Sequence, residues 1–391
     1  MNTIYIIAGE PSGDILASRL IRTLRERDAG LRFCGVGGET MAEQGFRSLF
    51  DIRDLSVMGF WEVLPKLPVI LRRMRQVLAH IEQERPDVLV TVDSWGFVST
   101  VLRRLKRRGA SFPKVHYVAP QVWAWKKGRA KKAAQLLTHL MTLLPYEPPY
   151  FEKYGLPCTF VGHPVLENTA EAQLEATTAP DLCPVPAGAR VLCILPGSRR
   201  NEIRKLAPVF IAVLEELQAA IPGLYVLLPS VAAMREEVAH AFAPVAVPHR
   251  VVVGQAARYA AFGAAEFAIA ASGTVSLELA ACGTPHIIAY KFNWLTNHLI
   301  ARLATTRYAN LINILADRQV IPEFVLHHCR ADRIAPAALA LMHDATRRAG
   351  QVEEAQRYLN RLKPPKQMPS AAAAETVCRV QGEWRRVKNE A

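Results

Sequence analysis

The sequence holds no C-x-x-C pair, no D-x-D, no G-x-G-x-x-G and no repeat of fixed period. Each absence removes a class of protein. The seven cysteines (Cys34, Cys158, Cys183, Cys193, Cys282, Cys329 and Cys378) are scattered and odd in number. They give neither a disulfide framework nor the spacing of a structural zinc site, and they fit a reducing cytosol. Without the glycine fingerprint, a dinucleotide-dependent oxidoreductase lacks its phosphate loop. No window approaches the roughly 18 uncharged apolar residues of a membrane span, so any membrane role is peripheral. The start, MNTIYIIAGEPSGD, has no positive n-region, and Gly9, Glu10 and Asp14 interrupt its apolar stretch; this argues against a signal peptide. Low-complexity tracts are missing too, which excludes disorder and solenoids.

What is present is globular and basic. A chain of 391 residues suits two domains. Half of it is hydrophobic and 21% is charged, an ordinary balance. Lys and Arg number 48 against 35 Asp and Glu, a formal charge of +13. That excess favours an anionic partner: nucleic acid, an anionic membrane surface or a phosphorylated substrate. A nucleic-acid binder would carry a recognised motif or one basic stripe with stacking aromatics. Here the basic residues spread over several helices, so no nucleic-acid partner is expected.

Short apolar runs alternate with helical patterns, which predicts βαβ units and parallel sheets. In the first half the strands are Thr3–Ala8, Leu31–Val36, Asp87–Val92, Lys114–Val118, His139–Leu143 and Cys158–Val161. GEPSGD reads as a loop entering a helix near Ile15, and Phe97–Arg108 as a later helix. Glu167–Arg190 is rich in Ala, Thr, Pro and Glu without a clear period, and reads as a linker. The pattern then restarts with strand Val191–Leu195, loop PGSRRNE and helix Ile203–Ile221. Strands Tyr225–Leu228, Val251–Val253, Phe267–Ala270 and Pro285–Tyr290 follow. The expected fold class is α/β: two Rossmann-like domains whose parallel sheets face a central cleft. The expected boundaries are 1–168, 169–345 and a helical 346–391. In such sheets ligands bind beyond the carboxyl ends of the strands.

Several loops at those ends carry chemistry. In LPGSRRNE, Gly197 permits close backbone approach, and the N–H groups near Ser198 together with Arg199 suit a diphosphate. A plain strand–turn–helix with a solvated Arg would look the same. In SGTVSLE, Ser272, Gly273 and Thr274 open a helix, another anion site. Glu278 lies one turn further on, past the capping-box slot if Thr274 is the N-cap, and could accept both hydroxyls of a ribose. Asp93 follows DVLVTV at a sheet edge. It is either a general base or a cap for the next helix. Glu10, Ser12 and Gly13 are candidates for the side of a second substrate; Glu10 and Asp14 would also favour a helix N-terminus electrostatically. Asn310, Asn313 and Glu323 could be ligands or buried turn-builders. His163 in GHP reads equally as a turn residue.

The two phosphate-type loops together resemble the nucleotide half of GT-B glycosyltransferases. IAGEPSGD, GVGGETM, VMGFWEVL, APQVWAW, VGHP, LPGSRRNE, SGTVSLE, YKFNWLT and NILADRQVIPEF then stand in order along nearly the whole chain. That ordered set resembles the lipid-A-disaccharide synthase family. The resemblance implies a GT-B fold and transfer of 2,3-diacylglucosamine from its UDP derivative to 2,3-diacylglucosamine 1-phosphate (lipid X). The product would be a β-1,6 disaccharide formed with inversion. It implies Asp93 as the base, although Trp95 stands where the family pattern carries proline. It implies Gly197, Ser198, Arg199, Ser272, Gly273, Thr274, Glu278 and Asn313 on the UDP-sugar side. With no D-x-D, it points to the class that uses no metal and no cofactor, in which cationic groups and helix dipoles stabilise the departing UDP. The last helix would cross back to the first domain or exchange between chains of a homodimer.

Acylated substrates imply contact with the cytoplasmic face of an anionic inner membrane. VMGFWEVLPKLPVILRRMRQVLAHI has the composition of an interfacial helix. Phe60, Trp61, Leu64 and Leu67 would dip in, and Arg72 and Arg73 would meet headgroups. The face formed by Ile70, Met74, Val77 and Ile81 fits core packing as well. QVWAWKKGRAKK is a second basic–aromatic block for the membrane or the acceptor phosphate. The nearest competing reading is a UDP-sugar epimerase or transferase acting on a soluble sugar.

Overall fold

Strands buried on both faces must be apolar throughout, and the sequence supplies them at TIYIIA, VLVTV and FAIAA, where every residue is buried. A computed structural model describes residues 2–55, 60–122, 128–178, 182–291 and 307–390, without the side chains of 60–66 and 176–178. The chain divides into two compact units, Met1–Pro164 with Leu362–Ala391, and Val165–Arg361.

The first unit is built on β1 (Thr3–Ala8), α1 (Pro11–Arg27), β2 (Arg32–Val36), α2 (Glu39–Glu43), α3 (Phe60–Glu84), β3 (Val88–Val92), α4 (Trp95–Arg107), β4 (Lys114–Tyr117), α5 (Gly128–Ala134), β5 (His139–Thr142), α6 (Pro148–Glu152) and β6 (Cys158–Phe160). The strands are parallel, in the order β2-β1-β3-β4-β5-β6. Chain direction across the sheet reverses between β1 and β3, and loops at such a switch point splay apart and leave a crevice. The C-terminal helix Pro369–Glu390 packs against α1, burying Ala373, Ala374 and Val377 beside Leu20 and Leu24. α1 begins at Pro11 rather than near Ile15, because proline's fixed φ suits the first helical position. Ser12, Gly13 and Asp14 are therefore first-turn helix residues.

The second unit starts with α7 (Val165–Thr178), then β7 (Arg190–Leu195), α8 (Arg200–Ala220), β8 (Leu224–Ser230), α9 (Arg235–Phe242), β9 (His249–Val253), α10 (Gln255–Ala264), β10 (Phe267–Ala271), α11 (Val275–Ala281), β11 (His286–Tyr290), α12 (Leu311–Ala316) and β12 (Glu323–Val325). Helices α13 (Ala331–His343) and α14 (Ala345–Asn360) close it. The parallel order is β12-β11-β10-β7-β8-β9, with the switch between β7 and β10. α7 corrects the linker reading of this region: it packs on α10 and α11. Its buried positions are Val165, Glu167, Thr169 and Ala172, two of them polar, so no apolar stripe announces it.

Candidate active site

In the first unit the loops after β1 and β3 meet at the switch point. Asp93 ends β3 with its N–H on the Tyr117 carbonyl of β4 at 2.9 Å. Asp93 and Ser94 both adopt left-handed backbone, φ 54° and 47°. For residues with a Cβ that costs about 1–3 kcal/mol each, a cost that recurs where function fixes a side chain's aim. The Asp93 carboxylate accepts from the Ser12 hydroxyl at 3.2 Å and from the Ser94 N–H at 2.8 Å. The Ser94 hydroxyl donates to Glu10 at 3.2 Å. Glu10, Ser12, Asp93 and Ser94 thus form one hydrogen-bonded chain. Ser94, not Asp93, is the N-cap residue of α4. A Cβ at Gly13 would stand 3.1 Å from the Val92 carbonyl, tighter than an ordinary Cβ contact, so a larger residue would push α1 back from β3 by a few tenths of an ångström.

Asp14, 4% exposed, braces this corner from behind. Its carboxylate accepts from the N–H groups of Gly38 (2.6 Å), Thr40 (2.9 Å) and Met41 (3.3 Å), and from the Thr40 hydroxyl at 2.7 Å. GEPSGD and GVGGETM are therefore two halves of one joint.

In the second unit the loops after β7 and β10 line a concavity of about 320 Å³. Gly197, Ser198, Arg199, Ser272, Gly273, Thr274 and Glu278 all border it, together with Glu202, Ser230 and Arg258. Gly197 has φ 120°. The Ser198 N–H donates to Glu202 at 3.0 Å, and Arg199 pairs with the same carboxylate at 3.3 Å. Tyr290, at the end of β11, donates its hydroxyl to Glu202 at 3.0 Å; burial and then this carboxylate push the phenol up to about 12. Thr274 is the N-cap residue of α11, which puts Glu278 beyond the capping-box position. Glu278 is 7% exposed, and Arg258 donates to it at 2.9 Å. Burial pushes the Glu278 carboxyl up, and Arg258 opposes that rise.

The chain matches the family described as "Lipid-A-disaccharide synthetase" over residues 4–377. It is 46% identical to a lipid-A-disaccharide synthase of Rhodospirillum centenum, over 96% of this chain and 94% of that protein. It is 44% identical to the Paramagnetospirillum magneticum protein of the same name, over 96% of each. The chain belongs to the lipid-A-disaccharide synthase family. It is a glycosyltransferase of lipid A disaccharide synthesis. Solved structures share the fold at low identity. The UDP-GlcNAc 2-epimerase of Neisseria meningitidis, solved with UDP-GlcNAc, has a TM-score of 0.65 at 10% identity, over 98% of this chain and 100% of that one. Acinetobacter baumannii MurG has 0.57 at 14%, over 97% and 100%.

Other residues singled out for a lipid-A-disaccharide synthase fall elsewhere. Asn313 is fully buried, and its amide is spent internally. Its Nδ2 donates to the Ile321 carbonyl and to Glu323; its Oδ1 accepts from Val320 and Ile321. It builds the turn before β12, and among the described residues it is not part of the concavity's lining. Glu323 collects the N–H groups of Ala309 and Asn310 in the same knot. His163 is buried in a turn whose N–H meets the Leu362 carbonyl, and burial lowers its imidazole to about 4.

The interfacial-helix reading divides. Met74, Val77, Leu78 and Ile81 of α3 are core residues. Peeling that half of the helix away would expose the apolar core it covers, including Tyr5, Ile7 and Leu89, to water. Arg73 is committed as well. It pairs with Asp54 at 2.6 Å and lies over the Phe50 ring at 4.7 Å. Leu67 is 43% exposed, and Arg72 is exposed. The side chains of Phe60, Trp61 and Leu64 lie outside the described residues, as do residues 123–127 of the second basic block. Sequence reasoning missed Glu202, Arg258 and Tyr290. Tyr290 and Glu202 had a usable signal, a strand's carboxyl end and the first turn after the phosphate-type loop. Arg258 sits in an Ala-rich helix and had none.

Proposed function

We propose that this chain transfers 2,3-diacylglucosamine from UDP-2,3-diacylglucosamine to the 6-hydroxyl of lipid X, with inversion, releasing UDP. As the acceptor oxygen bonds to the donor's anomeric carbon, the bond from that carbon to the diphosphate breaks. Asp93 takes the hydroxyl proton as general base. Ser12 and Ser94 fix its carboxylate, and Glu10 fixes Ser94. Arg199, the Ser198 N–H and the loop Ser272–Thr274 neutralise the leaving diphosphate, and Glu278 accepts from the ribose hydroxyls. The observation that carries this reading is Asp93 itself: a half-buried carboxylate on left-handed backbone, braced from two loops at a switch point. The Neisseria epimerase, solved with UDP-GlcNAc bound, supports a UDP-sugar at a fold of this kind.

The test is turnover of UDP-2,3-diacylglucosamine with lipid X in EDTA, for wild type and Asp93→Asn. Disaccharide from wild type with a loss of about a hundredfold or more in the variant is expected. A variant of full activity would remove the base role, and a well-folded wild type that makes no disaccharide would remove the substrates.

The acylated substrates imply a reaction at the cytoplasmic face of the inner membrane, with the enzyme bound peripherally. Among the described residues no helix is long and apolar enough to cross a membrane. Leu67 and Arg72 are the exposed apolar and basic groups at the start of the described part of α3. Sedimentation of wild type, but not of a Leu67→Ser/Arg72→Ser double variant, with anionic vesicles is expected. Equal sedimentation would remove this face from the contact.

A further inference from the structure

Two of the donors suited to a diphosphate, the Ser198 N–H and one N–H of Arg199, already face an anion of the protein's own. The Ser198 N–H points at one Glu202 oxygen at 3.0 Å. The other oxygen accepts from Arg199 at 3.3 Å and from Tyr290 at 3.0 Å. The Glu202 side chain is only 15% exposed and borders the concavity. A Cβ on Gly197 would come within 2.6 Å of the Glu202 Cβ and its Oε2, so the loop has a glycine where the carboxylate folds back over it.

A capping-box glutamate would reach the N–H of the N-cap residue, here Arg199. Glu202 instead reaches one residue further back and gathers a second loop through Tyr290. A backbone N–H has one proton and serves one strong acceptor. A diphosphate arriving there also meets a like charge in a partly desolvated site.

We propose that Glu202 is a tethered placeholder for the diphosphate: it holds the Gly197–Arg199 loop in shape when the site is empty, and competes with UDP for the same donors. This deepens the UDP-site reading above and rests on it. The consequence is kinetic. UDP is the product, and an internal anion that reclaims Ser198 and Arg199 shortens its stay.

The experiment is calorimetric titration of wild type, Glu202→Gln and Arg199→Ala with UDP and with uridine, which has no phosphate. Glutamine keeps an acceptor for the Ser198 N–H and removes the charge. Glu202→Gln is expected to bind UDP about tenfold more tightly, with uridine unchanged and UDP inhibition of turnover correspondingly stronger. UDP affinity that is unchanged or weaker, with uridine binding intact, would overturn the placeholder. Loss of both ligands together would overturn it too, because the carboxylate would then be a structural brace only. Wild type that binds no UDP, or Arg199→Ala that binds it normally, would instead sink the underlying site.

Discussion

Acid should weaken the two units unequally, because buried neutral histidines are divided unequally between them. His116, His139 and His163 lie in the first unit and His286 in the second. Burial is the leading cause in every case, taking the imidazole to about 3 for His116 and about 4 for the other three. The geometry agrees. His116 Nδ1 meets the Thr91 hydroxyl at 2.8 Å, and its buried Nε2 has no hydrogen-bond partner among the described residues. His286 Nδ1 meets the Thr284 carbonyl at 2.9 Å, and its Nε2 meets the Ser276 hydroxyl at 2.7 Å. The carbonyl can only accept, so Nδ1 carries the proton and Nε2 accepts.

Below an unfolded pKa of about 6.5, the unfolded chain takes up protons that the folded chain refuses. This contribution is fully present above about pH 6.5 and is lost as pH falls toward 4. At about 1.4 kcal/mol per pH unit once the unfolded imidazole is charged, each group removes roughly 1.5 kcal/mol between pH 6.5 and 5. Three such groups remove ~4–5 kcal/mol from the first unit, a large share of an ordinary domain's 5–15. The second unit loses ~1.5 from its one histidine. Glu278 works the other way there, since a carboxyl raised by burial favours the folded state as pH falls. Ordinary carboxylates, with pKa near 4, contribute little in this window. Urea titrations at pH 6.5, 6.0, 5.5 and 5.0, followed by hydrogen exchange on peptides of each unit, read the two separately. The first unit's midpoint should fall about three times as far as the second's. Equal shifts, or a first unit flat to pH 5, would show that these histidines do not set the acid limit.

Asp14→Asn should cost the first unit about 3 kcal/mol, since an amide NH2 then faces N–H donors that a charged acceptor had satisfied. Its melting point should fall, and turnover with it, because the Glu10–Ser12 corner loses its brace. A variant of wild-type stability would show that water replaces the carboxylate. Arg258→Gln should bind UDP only modestly worse but lose most of its discrimination against 2′-deoxy-UDP, because Glu278 no longer has its positioning partner. An unchanged UDP to 2′-deoxy-UDP ratio would dissociate Arg258 from ribose recognition.

Both sheets and every described strand but β12 were legible, because parallel sheets demand uninterrupted apolar runs such as TIYIIA, VLVTV, VLCIL and FAIAA; β12, a three-residue edge strand that is only half-buried, has no such run. The loops at their carboxyl ends were legible for the same reason: a strand's end is where its apolar run stops. Polar burial was the blind spot. Glu167 and Thr169 hide α7, Asn313 spends its amide in a buried turn, and Arg258 is half-buried against Glu278 from an apolar helix. Amphipathicity alone did not separate a membrane face from a core face on α3. Met74 and Ile81 pack equally well on either, and only the sheet beneath them decides.

The two units apply one topological rule to opposite chemical ends. Each sheet reverses direction once, between β1 and β3 or between β7 and β10, and each reversal sets two loops side by side. At the first reversal the side chains are carboxylates and hydroxyls: Glu10, Ser12, Asp93 and Ser94. At the second they include two guanidiniums, Arg199 and Arg258, with the backbone N–H groups of the Ser272–Thr274 turn beside them. A glycosyl transfer must remove a proton from the nucleophile and stabilise an anion on the leaving group. Glu202 and Glu278 are the exceptions, and both are held by the cations they would otherwise cancel. Glu202 is held by Arg199 and Glu278 by Arg258, so each guanidinium at this switch point already faces a carboxylate of its own unit.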